Sequence, residues 1–126
     1  MIRPALVVLM LLPFAATASA ECLKAQEQGT VEGRVNRITF SNPWVRGEAA
    51  WILELKAPAC LTGPDKDYDD VESTKRIHIY ATDAAVERQL KKALGKTVQV
   101  TGSPFGEENA HHHAPIVMGV DTITIR

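Results

Sequence analysis

The stretch RIHIYATDAAVERQLKKALGKTVQVTG, residues 76–102, predicts a strand, a helix and a second strand in close succession. Ile77 and Ile79 alternate with His78 and Tyr80, which is the pattern of a half-buried strand. We therefore expect the two isoleucines to face a core and the histidine and tyrosine to face outward.

A helix follows this strand and begins after Asp83, a good N-cap residue. Gly95 stands where a C-terminal cap is expected, and residues 96–102 alternate again as a strand. The apolar positions of the helix are Val86, Leu90, Ala93 and Leu94, and those of the strand are Val98 and Val100.

The first long strand is predicted over residues 30–40, and its apolar positions change phase. Val31 and Val35 share one face, whereas Ile38 and Phe40 fall on the other. A β-bulge near Asn36 and Arg37 would reconcile the two phases and bend the strand.

The remaining strands flank the opening stretch on both sides. A second strand starts at Trp51 and ends at Pro58, and the polar interval 61–74 is predicted to be a surface loop. The last strand covers residues 115–125, with a second change of phase before Ile123.

The order of three strands, one helix and two strands, with a bent first strand, predicts a mainly β fold. The expected architecture is a five-stranded OB-type Greek-key barrel with one helix between strands 3 and 4. An open β-sheet with one packed helix is the alternative, because periodicity does not show whether a barrel closes.

The first 20 residues have the features of a secretory signal peptide. Arg3 supplies a positive charge, an apolar run covers residues 5–14, and small residues precede a cleavage site after Ala20. The run is too short for a transmembrane helix, and no later segment is apolar enough to span a bilayer, so we expect no transmembrane segment in the mature form. These features predict a single OB-like domain over residues 21–126 in an exported, periplasmic protein.

The two cysteines, Cys22 and Cys60, are predicted to form one disulfide, because an even pair in an exported chain favours a bridge. The bond would tie the N-terminal segment to the end of the second strand. A lipid anchor on Cys22 is the competing interpretation, and Glu21 disfavours it because a small residue is expected there.

The charge of the mature domain is close to neutral, with 13 Lys and Arg against 15 Asp and Glu. Proteins that bind nucleic acid without sequence preference need a basic surface. We therefore expect no nucleic-acid partner.

The loops between strands 1 and 2 and between strands 4 and 5 flank the ligand face in OB barrels. Here they are residues 41–48 and 103–114, and they should converge on a rim that binds a small ligand, a glycan or an envelope protein. Trp44 is equally compatible with a plug over the barrel end. The predicted ligand-binding residues are Trp44, Arg46, His78, His111 and His113.

The run His111-His112-His113 is the one local cluster that predicts chemistry. On an extended segment His111 and His113 point to the same side, so both imidazoles could bind one Zn²⁺ or Cu²⁺, with Glu107, Glu108 or His78 as a third ligand. The simpler alternative is that one histidine bonds the barrel rim and the others are solvated. No nucleophile motif accompanies the cluster, so a hydrolase is the least favoured interpretation and we expect a non-catalytic protein.

Five groups of residues in this sequence form a recognisable set: Cys22-Leu23, residues 51–55 with Pro58-Ala59-Cys60, residues 94–102, Phe105 with His111-His112-His113, and Pro115-Ile116-Val117. Together they resemble a small exported bacterial family known as domain of unknown function 4431. That family has no established activity, so the resemblance implies export but no reaction. Its members often carry a further histidine after the phenylalanine, where this chain has Gly106-Glu107-Glu108.

Overall fold

The computed structural model describes residues 4–5 and 21–126, so the predicted signal peptide lies outside the described residues except for Pro4 and Ala5. Among the residues described, no helix has the length and apolar character needed to cross a bilayer. The elements are β1 (Leu23–Lys24), β2 (Gly29–Phe40), β3 (Glu48–Thr62), α1 (Lys66–Asp69), β4 (Val71–Ala81), α2 (Ala84–Ala93), β5 (Thr97–Gly106) and β6 (Ile116–Ile125).

The five long strands form a closed barrel. The circuit runs from β2 through β3, β4, β6 and β5 back to β2, and every pairing in it is antiparallel except that of β4 with β6. Since α2 joins the third long strand to the fourth, this is the predicted OB-type barrel. The alternative of an open sheet is wrong.

Strands β3 and β4 are longer than the sequence predicts. Pro58 does not end β3, because it lies where the register with β4 shifts between Glu54 and Ala59 and its missing N–H is tolerated. Leu61 extends the strand into the core and is 1 % exposed. The predicted loop 61–74 therefore contains the ends of both strands and the short helix α1.

One of the two predicted changes of strand phase is confirmed. β2 pairs with β3 in continuous register from Gly33 to Phe40, so the bulge predicted near Asn36 and Arg37 is wrong. In β6, Asp121 is an extra residue, since Thr101 faces Thr122 while Gly102 faces Val120. This β-bulge returns Ile123 to the core side.

Helix α2 seals one side of the core as predicted. The Asp83 carboxylate accepts a hydrogen bond from the Val86 N–H at 2.8 Å, and Gly95 ends the helix with φ +79°. Burying a side chain such as Leu90 contributes about 1.5–3 kcal/mol. Leu94 is instead 52 % exposed. The buried helix positions are Val86, Leu90 and Ala93.

The predicted disulfide is confirmed. Cys22 and Cys60 are bonded, with their Cα atoms 4.6 Å apart. Beside the bond, β1 pairs in parallel with the end of β3, placing Leu23 opposite Leu61. The bridge thus anchors the start of the domain on the barrel.

Candidate functional site

The loops that join β2 to β3 and β5 to β6 meet, as the sequence predicts. The Asn42 side chain connects them, because its amide nitrogen donates to the Ala110 carbonyl at 3.1 Å. Its oxygen accepts from the N–H groups of Trp44 and Val45 at 2.8 and 2.9 Å. Asn42 therefore fixes the shape of the β2–β3 loop and docks it on its neighbour.

The β5–β6 loop packs on the outer face of the barrel wall. Ile52 and Val117 face His78 across β3–β4 and β4–β6, and both are fully buried although they lie outside the main core. Outer-face residues are buried only when something covers them. The side chain of His113 and the whole of Ala114, both in the loop, are themselves buried, which identifies the loop as the cover.

Glu48 lies between two histidines of this loop. Its carboxylate is 2.8 Å from His111 Nδ1 through one oxygen and 3.6 Å from His113 Nε2 through the other. The hydrogen bond from His111 is the main cause that lowers the pKa of Glu48, and partial burial opposes it. His113 is 4 % exposed, and its Nε2 has no hydrogen-bond partner among the described residues.

His78 supports the loop from below. Its Nδ1 accepts a hydrogen bond from the backbone N–H of His113 at 3.1 Å. Burial lowers the pKa of His78 to about 4, and positive charge on His113 and His112 acts in the same direction. The ring is therefore neutral at neutral pH, which this hydrogen bond requires because a protonated Nδ1 cannot accept.

Six rings follow one another along the outer face, and we call them the ring row. Phe40 stacks on His113 with centroids 4.3 Å apart and planes 3° apart. The other neighbours lie 5.4–6.5 Å apart between centroids, within the usual range for aromatic pairs. In order, the ring row is Phe40, His113, His78, His112, Phe105 and Tyr80.

A cleft of about 400 Å³ opens between the two loops, and we call it the Trp44 cleft. Trp44 is 81 % exposed at its edge, so the interpretation of Trp44 as a plug is wrong. Trp51 is the tryptophan that packs in the core. The cleft is lined by Asn42, Trp44, Glu107, Glu108, Asn109, Ala110 and His112.

Comparison with known protein families gives a match to the second half of the domain. Residues 76–124 match the family model of the domain of unknown function DUF4431. This confirms the resemblance, which rests in part on motifs inside this range, residues 94–102 and 105–117; the motifs at residues 22–23 and 51–60 lie outside the matched range. No curated protein and no solved structure matches the chain.

The DUF4431 region supplies most of this site but not all of it. His78, Glu107 and the three consecutive histidines lie inside it, whereas Trp44 and Glu48 lie outside. The match therefore covers the β5–β6 side of the site, and the first two long strands complete it.

The predicted rim residues occupy different environments. Trp44 and Glu107 line the cleft, and Arg46 is exposed on the same loop as Trp44 without lining it. Within the β5–β6 loop, the side chain of His113 is buried and that of His111 is exposed. Apart from Arg46, the predicted residues are thus divided between the open Trp44 cleft and the histidines that hold the β5–β6 loop, and His112 belongs to both groups.

Metal binding stays a prediction. Within residues 4–5 and 21–126, no three His, Cys, Asp or Glu side chains are grouped in a way that could hold a metal ion. The carboxylate beside His111 and His113 is that of Glu48, not that of the predicted Glu107.

Sequence reasoning missed Glu48, Phe40 and His112 as parts of this site. The sequence pattern places Glu48 only at the end of a predicted loop. A carboxylate at the start of β3 is nevertheless well placed to contact the neighbouring loop. The position of Phe40 could have been predicted, because its alternation phase places it on the strand face opposite Val35. His112 contacts the rings of His78 and Phe105 edge-on.

Proposed function

We propose that this protein is an exported, non-catalytic binding module whose ligand meets the rim formed by the β2–β3 and β5–β6 loops. The closed OB-type barrel supports this proposal, since both loops stand at the ligand-facing end of such barrels. The disulfide and the signal-like first 20 residues support export to an oxidising compartment.

The exposure of Trp44 carries the proposal. The Trp44 side chain is 81 % exposed at the edge of a cleft, so it is available to a ligand, and tryptophan is enriched among the residues that dominate binding energy. Asn42 fixes the backbone of the loop that presents the indole, so the loop places Trp44 at the cleft edge before any ligand arrives. Preorganised tryptophans of this kind are frequent anchors of binding surfaces.

The polar groups around the cleft fit binding better than catalysis. His78 accepts from the backbone of His113, and His112 Nδ1 accepts from the Glu108 N–H at 3.0 Å. His111 is paired with Glu48. Each of these rings is engaged in holding the loop, which leaves the carboxylates of Glu107 and Glu108 to contact a ligand.

Tryptophan fluorescence tests the proposal directly, with a soluble muropeptide as the envelope probe. It is a disaccharide with a tetrapeptide whose carboxylates are amidated, because Glu107 and Glu108 line the cleft and would repel an anionic probe. Trp44 and Trp51 are the two tryptophans, and Trp51 is only 7 % exposed. We expect a saturable change in emission that disappears in Trp44→Ala, where Trp51 alone remains. An emission spectrum that does not respond to the muropeptide contradicts the proposal.

Divalent-metal binding is the second candidate function, and the position of Glu48 favours it. Both imidazole nitrogens that approach this carboxylate are of the type that binds Zn²⁺ and Cu²⁺. Calorimetric titration should give a dissociation constant below about 10 μM, weakened by His111→Ala combined with His113→Ala. His112→Asn, which keeps an acceptor for the Glu108 N–H, is the matched control, and equal affinity in all variants removes this candidate.

A further inference from the structure

A second cleft, of about 430 Å³, lies at the far end of the ring row and shares only Glu108 with the Trp44 cleft. The proposed function does not use its other residues. We call it the Tyr80 cleft. Its volume falls within the range of small-molecule sites. The lining residues that matter for the argument are Gln26, Tyr80, Phe105, Glu108, Gly119 and Asp121.

The floor of the Tyr80 cleft is an exposed aromatic face. Tyr80 is 43 % exposed and meets Phe105 edge-on at 6.5 Å between centroids. Gly119 faces Tyr80 across β4–β6, and a Cβ on Gly119 would lie 2.9 Å from the tyrosine hydroxyl oxygen. The glycine therefore lets the phenol ring lie down on the strand.

Gln26 stands at the edge of the same cleft in an unusual backbone conformation. Among the described residues it is the one non-glycine residue with positive φ, at 65°. Its N–H donates to the Pro104 carbonyl at 2.8 Å, which holds the strained turn. Strained conformations of this kind cluster at binding sites. A glycine at this position would relieve the strain but would also remove the side chain, so the glutamine indicates that the side chain is used.

Asp121 reaches the cleft through the bulge in β6. As the extra residue of the bulge it leaves the regular alternation of the strand, and bulges often redirect a side chain toward a site. Thr82 donates to one carboxylate oxygen at 3.1 Å and Gln28 to the other at 3.3 Å. Each oxygen keeps acceptor capacity for a ligand hydroxyl.

The charge around the cleft disfavours anionic ligands. Within the described part of the chain, no lysine or arginine lines it, and Glu108 and Asp121 are the charged residues that do. Neither carboxylate has an ion-pair partner within 4.0 Å among the described residues. A phosphate, a sulfate or an acidic sugar would be repelled here.

We propose that the Tyr80 cleft is a binding site for a neutral pyranose sugar. The apolar face of a sugar ring stacks on Tyr80, while vicinal hydroxyls donate to the Asp121 carboxylate and bond to the Gln26 amide. Three backbone features meet at this cleft: Gly119 makes room for the tyrosine ring, Gln26 lies in a strained turn, and Asp121 is the extra residue of a bulge. Such a site requires this combination of an apolar platform with fixed polar groups at its edge.

The test is a titration of the ¹⁵N-labelled protein with N-acetylglucosamine trimer and with maltotriose, followed by amide chemical shifts. We expect one of them to give saturable shifts at Gly119, Ser103 and Gln26, with a dissociation constant of about 0.1–1 mM. Tyr80→Ala should weaken binding at least tenfold, whereas Tyr80→Phe keeps the ring and stays within threefold.

Two further variants keep this test informative if Tyr80→Ala folds poorly. Gln26→Gly suits the positive φ, so it should fold normally and still bind the sugar at least threefold more weakly. Trp44→Ala is the matched control and should bind it as the wild type does, which separates this site from the Trp44 cleft. The proposal is overturned if neither sugar gives saturable shifts, if Gln26→Gly binds like the wild type, or if spermidine but no sugar binds in the cleft.

Discussion

Removal of the disulfide should lower the free energy of unfolding by about 4 kcal/mol. Cys22 and Cys60 are separated by 38 residues, and the loop-closure entropy of a loop of that length gives this magnitude at 25 °C. The bond also holds Leu23 beside Leu61, so its loss loosens the start of the barrel. The Cys22→Ser/Cys60→Ser variant leaves no free thiol, which makes it cleaner than either single variant.

Urea unfolding and thermal unfolding, both followed by circular dichroism, measure this effect on the double variant and on the wild type with and without reductant. A loss of about 4 kcal/mol corresponds to a fall in Tm of roughly 15–30 °C for a domain of this size. The double variant should be insensitive to reductant, and the reduced wild type should unfold with it. Equal midpoints for the oxidised wild type and the double variant, or two free thiols by mass spectrometry, would refute the reasoning.

Three further predictions concern the elements that position the site. Asp83→Ala removes the cap of α2 and should cost about 1 kcal/mol in thermal unfolding, with Asp83→Asn close to the wild type. Gly102→Ala places a Cβ 1.9 Å from the Gly119 carbonyl oxygen and should cost about 3 kcal/mol or more, whereas Gly47→Ala, which has open space, should cost only about 1 kcal/mol for its positive φ. His78 binds a proton near pH 6.5 when unfolded but only near pH 4 when folded, so stability should fall between pH 6.5 and 4. The half-buried ring limits that loss to about 1–2 kcal/mol, and His78→Asn, which keeps an acceptor for His113, should remove it.

The barrel was predictable because its strands carry period-two patterns and its one helix has clear caps. Ile77 and Ile79 face the core and Asp83 caps α2, as the sequence alone indicates. The ends of β3 and β4 were not predictable in the same way, because Pro58 is a strand breaker in most contexts and is tolerated here only at a register shift.

The site was predicted in outline and missed in detail. The spacing of strands predicts that two loops converge, and Asn42 joins them. The partner of His111 is Glu48, which lies 63 residues away in sequence, and no local pattern reports such a pair. The burial of His113 and Val117 on the outer face depends equally on how the loop folds back over the wall.

In the Tyr80 cleft, too, one feature is predictable from the local sequence and another depends on tertiary packing. The phase change before Ile123 predicts an irregularity in the last strand, and the bulge at Asp121 is that irregularity. The positive φ of Gln26 has no sequence signature, because glutamine is rarely found in that conformation. Its position beside Pro104 is a result of tertiary packing.

The most direct test of the central claim is an amide chemical-shift map of the wild-type protein titrated with the muropeptide. If the rim between the two loops is the ligand site, saturable shifts appear at residues 41–47 and 107–112 and vanish in Trp44→Ala. Shifts confined to other surfaces, or an unchanged map at millimolar muropeptide, would contradict a binding function for this rim.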